Sequence, residues 1–462
     1  MSTTKASSSR RQRRGSRRPA SILCNTEAVV GIHNSSTTAE DRTRNGKAIQ
    51  VSFCFKRPPQ PSTLFVHGSD LNRSVAPDIL SSVDDLLLLR VNMGSGPLDL
   101  CGKDYDYFVY RADSTRPSLE LLRRPHPYLC RSDAGLLPRP DGHYTVAALN
   151  FTGTIYQFEL HLFHSDTSTW ISGMLVDAPQ DFPPRILHHH TTTVITIGGE
   201  GGTMGWVDLW RGILLCDVLV SQPSLRSMPI PSPLLEMSYN NGWGVELGNP
   251  AQRRGIAFIR GKGSLKFVHL EITEECVPEI DEETGLTSIR VDDWALTTWS
   301  NKKMSSSLED WHKEYVVNAS SIGIDLDPAI SQVLEDTGLL RRPSENEAAA
   351  EWKTLQNLSM CQPSPCITGE DVVYLVAREK FMHRKAWILS VDMKNGGRLQ
   401  SAAYFGIRRY SGLDVIYCPS RISKYMNPAT TPVTVRKDAD ESHEDGAVEL
   451  IILPKVVYAN LN

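Results

Sequence analysis

The chain has no long hydrophobic run. Its longest uninterrupted apolar segments, such as Leu86–Leu89 and Ile213–Leu215, are strand-sized, whereas a membrane-spanning helix needs about 20 apolar residues. No apolar stretch follows the basic N-terminal residues, as it would in a secretory signal. We therefore expect no membrane-embedded segment.

Cysteine is scarce, and the usual catalytic motifs are missing. There are nine cysteines, an odd number, and no CxxC pair, so reduced thiols are expected rather than a disulfide framework or a zinc site. No GxSxG, HExxH or Walker sequence is present. The two histidines of His161-x-x-His164 would lie on opposite faces of a strand. From the sequence we therefore predict no catalytic residue, no metal site and no cofactor. We also predict that the protein is not an enzyme.

A large net charge is also lacking, but the charge is unevenly distributed. The whole chain carries −4, while residues 1–20 contain seven basic residues and no acidic one, which leaves −11 for residues 21–462. So polar a segment cannot bury enough surface to fold by itself, and residues 1–20 are predicted to be a disordered tail. It could be inert, a nuclear-import signal or an organellar transit peptide. The candidate import residues are Arg10, Arg11, Arg13, Arg14, Arg17 and Arg18.

From about residue 50 the chain contains many short apolar or alternating segments separated by turn residues. Tyr156–Phe163, for example, alternates apolar and polar side chains, as expected for a half-buried strand. So many short strands favour a mainly β fold. Residues 21–462 are predicted to form one irregular, propeller-like β domain, with a pair of β-sandwiches or a barrel as the alternative. A small helical insert is expected at about 305–360.

The densest motif is Gly205–Val218, with the sequence GWVDLWRGILLCDV. It predicts two strands around a tight turn, with Gly212 free to adopt positive φ. Asp208 is expected to accept hydrogen bonds from the turn or to pair with Arg211. An acid–base pair with Asp217 is the alternative. The residues of this motif predicted to have mainly structural roles are Trp206, Asp208, Trp210, Arg211, Gly212 and Asp217.

The motif resembles the central signature of a plant family, expanded in grasses, called domain of unknown function 1618. Similar segments lie on both sides, including Gly46–Phe53, Met228–Pro233 and Trp294–Trp299. The family has no established activity, so the resemblance implies no catalytic residue.

The first functional hypothesis is a non-enzymatic interaction module that binds an unknown protein through an exposed acidic loop at 271–284 or through the insert at 305–360. The alternatives are a nuclear regulatory protein that uses its basic N-terminal arm, and an enzyme of unrecognised type. Nucleic acid is expected as a partner only through that arm, by phosphate contacts. The expected location is nuclear or cytoplasmic, or an organelle if the arm is a transit peptide.

Overall fold

The structure, a computed structural model, describes residues 19–94, 104–123, 128–154, 156–179, 189–231, 249–322, 328–340, 355–407 and 415–426. The predicted import residues between Arg10 and Arg18 therefore lie outside the described residues.

The described part of the chain forms 26 strands. Those of the first half are β1 (Ile22–Asn25), β2 (Val29–Val30), β3 (Ala39–Arg42), β4 (Ala48–Cys54), β5 (Thr63–Gly68), β6 (Asp78–Val83), β7 (Leu86–Asn92), β8 (Tyr105–Arg111), β9 (Ser118–Leu122), β10 (Ala134–Pro138), β11 (Tyr144–Phe151), β12 (Gln157–His164) and β13 (Thr169–Asp177). Those of the second half are β14 (Thr193–Gly198), β15 (Thr203–Asp208), β16 (Gly212–Asp217), β17 (Leu225–Pro229), β18 (Arg254–Ile259), β19 (Ser264–Ile280), β20 (Thr287–Asn301), β21 (His312–Asn318), β22 (Ser359–Pro365), β23 (Val372–Arg378), β24 (Lys385–Asp392), β25 (Arg398–Ile407) and β26 (Tyr417–Ser420).

Helices are short. Among the described residues, the α-helices are α1 (Ala319–Ile322) and α2 (Pro328–Asp336), and single 3-10 turns lie at Pro250–Gln252, Leu308–Asp310, Leu355–Asn357, Lys394–Gly396 and Ile422–Tyr425.

The strands form six four-stranded sheets and one two-stranded sheet. Five of the four-stranded sheets pair their strands in chain order, as antiparallel meanders: β6–β9, β10–β13, β14–β17, β18–β21 and β22–β25. We call these blades 2 to 6. Their first strands contact one another in turn, β6 with β10, β10 with β14, β14 with β18 and β18 with β22. The first strands therefore form an inner ring.

Strands from both ends of the chain close this ring. β26 lies between β22 and β6, because the Tyr417 hydroxyl donates to the Gln362 carbonyl at 2.8 Å and the hydroxyl oxygens of Ser82 and Ser420 are 2.7 Å apart. β26 pairs antiparallel with β1, which joins the β2-β5-β4-β3 sheet through a parallel bridge between Cys24 and Ser62. These six strands form blade 1.

The core lies between neighbouring blades, so the middle strands are buried on both faces. In β7, Leu87 and Leu89 pack in the cluster shared with blade 1, while Leu86 and Leu88 pack in the cluster shared with blade 3. All four side chains are fully buried. Alternate residues of a strand point to opposite faces, so an unbroken apolar run is what a blade between two others requires.

Two expectations about local structure are corrected. The segment around 305–360 includes α1 and α2 but also β21, the fourth strand of blade 5, so it is not a purely helical insert. The acidic segment 271–284 was expected to be a loop. Most of it continues β19 as far as Ile280 and pairs with β20, because the two strands can satisfy each other's backbone groups beyond the edge of the blade.

Candidate functional site

The Gly205–Val218 motif forms the β15–β16 hairpin, and its tight turn is organised by Asp208. The carboxylate accepts hydrogen bonds from the backbone N–H of Trp210 at 2.9 Å, of Arg211 at 3.1 Å and of His190 at 2.9 Å, and from Arg211 Nη1 at 3.0 Å. Asp208 is fully buried. Gly212, which follows the turn, has φ of 155°. Asp208 therefore accepts the hydrogen bonds of the turn and also forms an ion pair with Arg211.

The two tryptophans of the motif connect blade 4 to both neighbours. Trp206 donates from Nε1 to the carbonyl of Asp133, just before β10 of blade 3, at 2.7 Å. On the other side, the Arg254 guanidinium of blade 5 lies 4.2 Å from the centre of the Trp210 ring. Arg254 Nη1 also donates to the Leu209 carbonyl at 2.8 Å. The motif therefore connects three consecutive blades, 3, 4 and 5.

Asp217 is not brought close to Asp208. Antiparallel pairing places Asp208 opposite Gly212 and Asp217 opposite Thr203, at the two ends of the hairpin. Five residues of strand separate these positions, about 17 Å. Asp217 accepts from Thr203 Oγ1 at 2.6 Å and from Arg226 at 3.4 Å. The two carboxylates cannot act on one substrate bond from these positions.

The histidines also have separate surroundings. Nδ1 of His161 accepts from the Gly173 N–H at 3.4 Å, whereas Nδ1 of His164 lies 3.0 Å from Thr145 Oγ1. His189 packs edge-on against Phe158, and burial lowers its pKa to about 4. Across the described ranges no three His, Cys, Asp or Glu side chains are grouped so that they could hold a metal ion.

A cavity of about 260 Å³ occupies the space inside the ring of first strands. Its walls come from β6, β14, β18, β22 and β26, which explains why no single stretch of sequence indicated it. One end is crossed by an ion pair: Arg260, after β18, lies 2.7 Å from Asp84, after β6. Because β6 and β18 belong to opposite blades of the ring, this ion pair spans the cavity.

The other end of the cavity is lined by Arg131 and Arg254. Arg131 donates to the carbonyls of Thr26, Ile79 and Val415 at 3.0–3.4 Å, which ties blades 1 and 2 to the start of blade 3. At this end the walls of blades 5 and 6 come very close, because Gly255 faces the Pro363 carbonyl. A β-bulge in β22, where Gln362 has φ of 54°, brings that carbonyl inward.

A second feature projects from blade 5, and we call residues 271–293 the hairpin arm. Within blade 5, β18 pairs with β19 only as far as His269, and β21 pairs with β20 only from Ala295 onward. Beyond these points β19 and β20 continue as a two-stranded ribbon. The arm contains nine acidic residues and one basic residue, so its formal charge is −8.

The tip of the hairpin arm is fixed against blade 6. Asp281 accepts from His383 Nε2 at 3.0 Å and from Lys380 Nζ at 3.3 Å, both in the β23–β24 loop. It also accepts from the backbone N–H of Thr284 at 3.0 Å. Burial alone would raise the pKa of Asp281, but the hydrogen bonds from His383 and Thr284 hold it well below its usual range. The arm is thus held in one orientation.

The ring of six blades around one cavity defines the chain as a β-propeller, and the mainly β, propeller-like fold predicted from the sequence is confirmed. Residues 206–374 match the model of the family described as "Protein of unknown function (DUF1618)". This segment begins at Trp206 and extends into β23, and over it the resemblance predicted from the sequence is confirmed.

No curated protein matches the chain in sequence. Among solved structures it is similar to a Hadza microbial sialidase, Hz136, with 12% identity and a TM-score of 0.30, over 80% of this chain and 67% of that one. It is also similar to Zg3597, a family 117 glycoside hydrolase from Zobellia galactanivorans, with 12% identity and a TM-score of 0.27, over 64% and 75%. The polysaccharide lyase Uly1 matches with 9% identity and a TM-score of 0.27, over 83% and 89%. These likenesses are too distant to indicate an activity for this chain.

None of the described helices is both long and apolar enough to cross a membrane.

Proposed function

We propose that the protein is a non-enzymatic interaction module, and that the hairpin arm is its main partner-binding element. The observation that carries the proposal is the concentration of charge: −8 on 23 consecutive residues that extend beyond their blade. Such a field attracts an oppositely charged surface and speeds its association. The partner is a protein with a basic surface segment.

The arm also offers apolar contacts next to its charge. Ile280 is 63% exposed and Leu286 is 42% exposed, both near the tip. Phe381, in the β23–β24 loop, is 38% exposed and shares a small surface pocket with Leu286. Protein interfaces typically combine an apolar centre with a polar rim. Because the tip is fixed by Asp281, little conformational entropy is lost when a partner binds.

Reversing two charges on the arm tests this proposal. Glu279 and Glu282 are exposed, and within the described part of the chain neither side chain makes a hydrogen bond or an ion pair. Glu279→Lys with Glu282→Lys is therefore expected to leave the fold intact. We expect proximity labelling in cells that express the protein to show about tenfold lower enrichment of its main partners, in line with the loss of about 1.4 kcal/mol of binding free energy. The residual association should be less sensitive to salt.

The matched control is Glu200→Lys with Glu370→Lys, two exposed glutamates outside the arm that give the same change in net charge. This variant is expected to keep the wild-type partners. Unchanged enrichment in the arm variant, or an equal loss in both variants, would show that the arm is not the binding element.

The segregation of basic charge in residues 1–20 favours a second role. We propose that Arg10–Arg18 act as a nuclear-import signal, so that the protein is nuclear as well as cytoplasmic. Seven basic residues with no acid among them support this role. Deleting residues 1–20 would test nuclear import separately from partner binding by the folded ring.

A further inference from the structure

We propose that the central cavity binds a small organic carboxylate, with Arg254 as the residue that recognises its charge. Arg254 lines the cavity from the start of β18 and is only 2% exposed. A guanidinium so deeply buried is normally paired with a carboxylate. The site is independent of the hairpin arm and of the proposed interaction function.

The hydrogen bonds of Arg254 leave its charge uncompensated. Nε donates to His269 Nδ1 at 3.3 Å, and Nη1 donates to the Leu209 carbonyl. Both acceptors are neutral, because burial and the nearby charges of Arg254 and Arg253 lower the pKa of His269 to about 4. In the described residues, Nη2 has no acceptor and no carboxylate oxygen lies within 4.0 Å of the guanidinium. Burial lowers the pKa of Arg254 to about 9, which leaves it charged at pH 7.

The charge of the Asp208 carboxylate acts on Arg254, but Asp208 is already paired with another arginine. It is the ion-pair partner of Arg211 at 3.0 Å and affects Arg254 only from a longer distance. Two buried arginines thus share one buried aspartate, which leaves one positive charge in excess. A bound anion would remove the energetic cost of leaving that buried charge unpaired.

A second arginine that lines the cavity, Arg131, also shares its carboxylate partner. Arg131 lies 3.6 Å from Asp78, and Asp78 is also the partner of Arg90. The Asp78 carboxylate is therefore shared by two arginines, as the Asp208 carboxylate is. Both arginines that line this end of the cavity therefore favour a negative charge between them.

The remaining walls determine the rest of the ligand. Ile79, Val194, Ile256 and Phe258 line the cavity, so the body of the ligand should be apolar. At about 260 Å³, the cavity is much larger than the ~30 Å³ occupied by one water molecule. This favours a compact carboxylic acid over inorganic phosphate, which would leave the apolar walls uncovered.

Calorimetric titration of the full-length protein tests the site with three probes: benzoate, its neutral isostere benzamide, and inorganic phosphate. We expect benzoate to bind with one-to-one stoichiometry, and benzamide and phosphate to bind at least tenfold more weakly. Ser364→Phe, which places an aromatic ring in the cavity wall, should abolish benzoate binding. Arg254→Gln should weaken it at least tenfold. The control Arg398→Gln removes the same charge from an exposed position in β25 and should have no effect.

The outcomes are decisive even if Arg254→Gln does not fold, because the ratio of benzoate to benzamide affinity and the Ser364→Phe variant do not depend on it. Absence of benzoate binding, equal affinity for benzoate and benzamide, or binding that survives Ser364→Phe would each overturn the proposal. Tighter binding of phosphate than of benzoate would reassign the site to inorganic anions and would also overturn it.

Discussion

Replacing Asp208 with alanine is expected to destabilise the fold by about 3–5 kcal/mol, or to prevent folding altogether. The substitution leaves the buried Arg211 guanidinium without its ion-pair partner, and removing one member of a buried pair typically has this cost. It also leaves three backbone N–H groups, those of His190, Trp210 and Arg211, without their acceptor. Urea unfolding followed by tryptophan fluorescence measures the change.

Asp217→Ala is the matched control, because it removes the other carboxylate of the same hairpin. The Asp217 side chain is 39% exposed, and its ion pair with Arg226 is at the surface. Such pairs contribute about 0–1 kcal/mol, so the control should remain close to the wild type. Equal destabilisation by the two substitutions would mean that the buried turn does not have the structural role assigned to it.

Gly255→Ala is expected to destabilise the protein by about 3 kcal/mol or more, at the upper end of what overpacking costs. A Cβ atom at this position would lie 1.9 Å from the Pro363 carbonyl oxygen and 3.0 Å from its carbon. Because the obstacle is backbone, no side-chain rotation can relieve it, and the inner strands of blades 5 and 6 would have to move apart. The midpoint of urea unfolding reports the loss.

Gly261→Ala provides the comparison. This glycine lies in the turn between β18 and β19, and a Cβ there would meet no atom within 4 Å. The substitution should change stability by no more than about 0.5 kcal/mol. If Gly255→Ala were equally harmless, β18 and β22 could not lie as close together at the cavity as the structure shows.

The sequence predicted the middle strands of the blades well and most of the first strands poorly. Strands such as β7 and β23 are mostly apolar because blades cover both of their faces, and this pattern can be recognised in the sequence. First strands have less distinct sequences: β22 reads SMCQPSP and β26 reads YCPS. Near the axis small residues, prolines and a bulge are tolerated, so neither alternation nor an apolar run marks these strands.

The contacts of the candidate site could also be predicted only in part from the sequence. The contact of Asp208 with Arg211 could be anticipated, because three residues separate them across a turn. The contact of Leu209 with Arg254 joins residues 45 positions apart in different blades, and nothing in the local sequence indicates it. The hairpin arm was recognised as acidic but was expected to be a loop, since charge lowers apparent strand propensity even where two strands pair only with each other.

The central claim is that partner binding resides in the folded propeller and not in its basic tail. The most direct test is proximity labelling with the full-length protein beside a chain that lacks residues 1–20, with imaging of both. We expect the truncated protein to lose nuclear accumulation while the cytoplasmic partners of the two proteins remain the same. Disappearance of those partners with the tail would contradict the account and would move the binding function to residues 1–20.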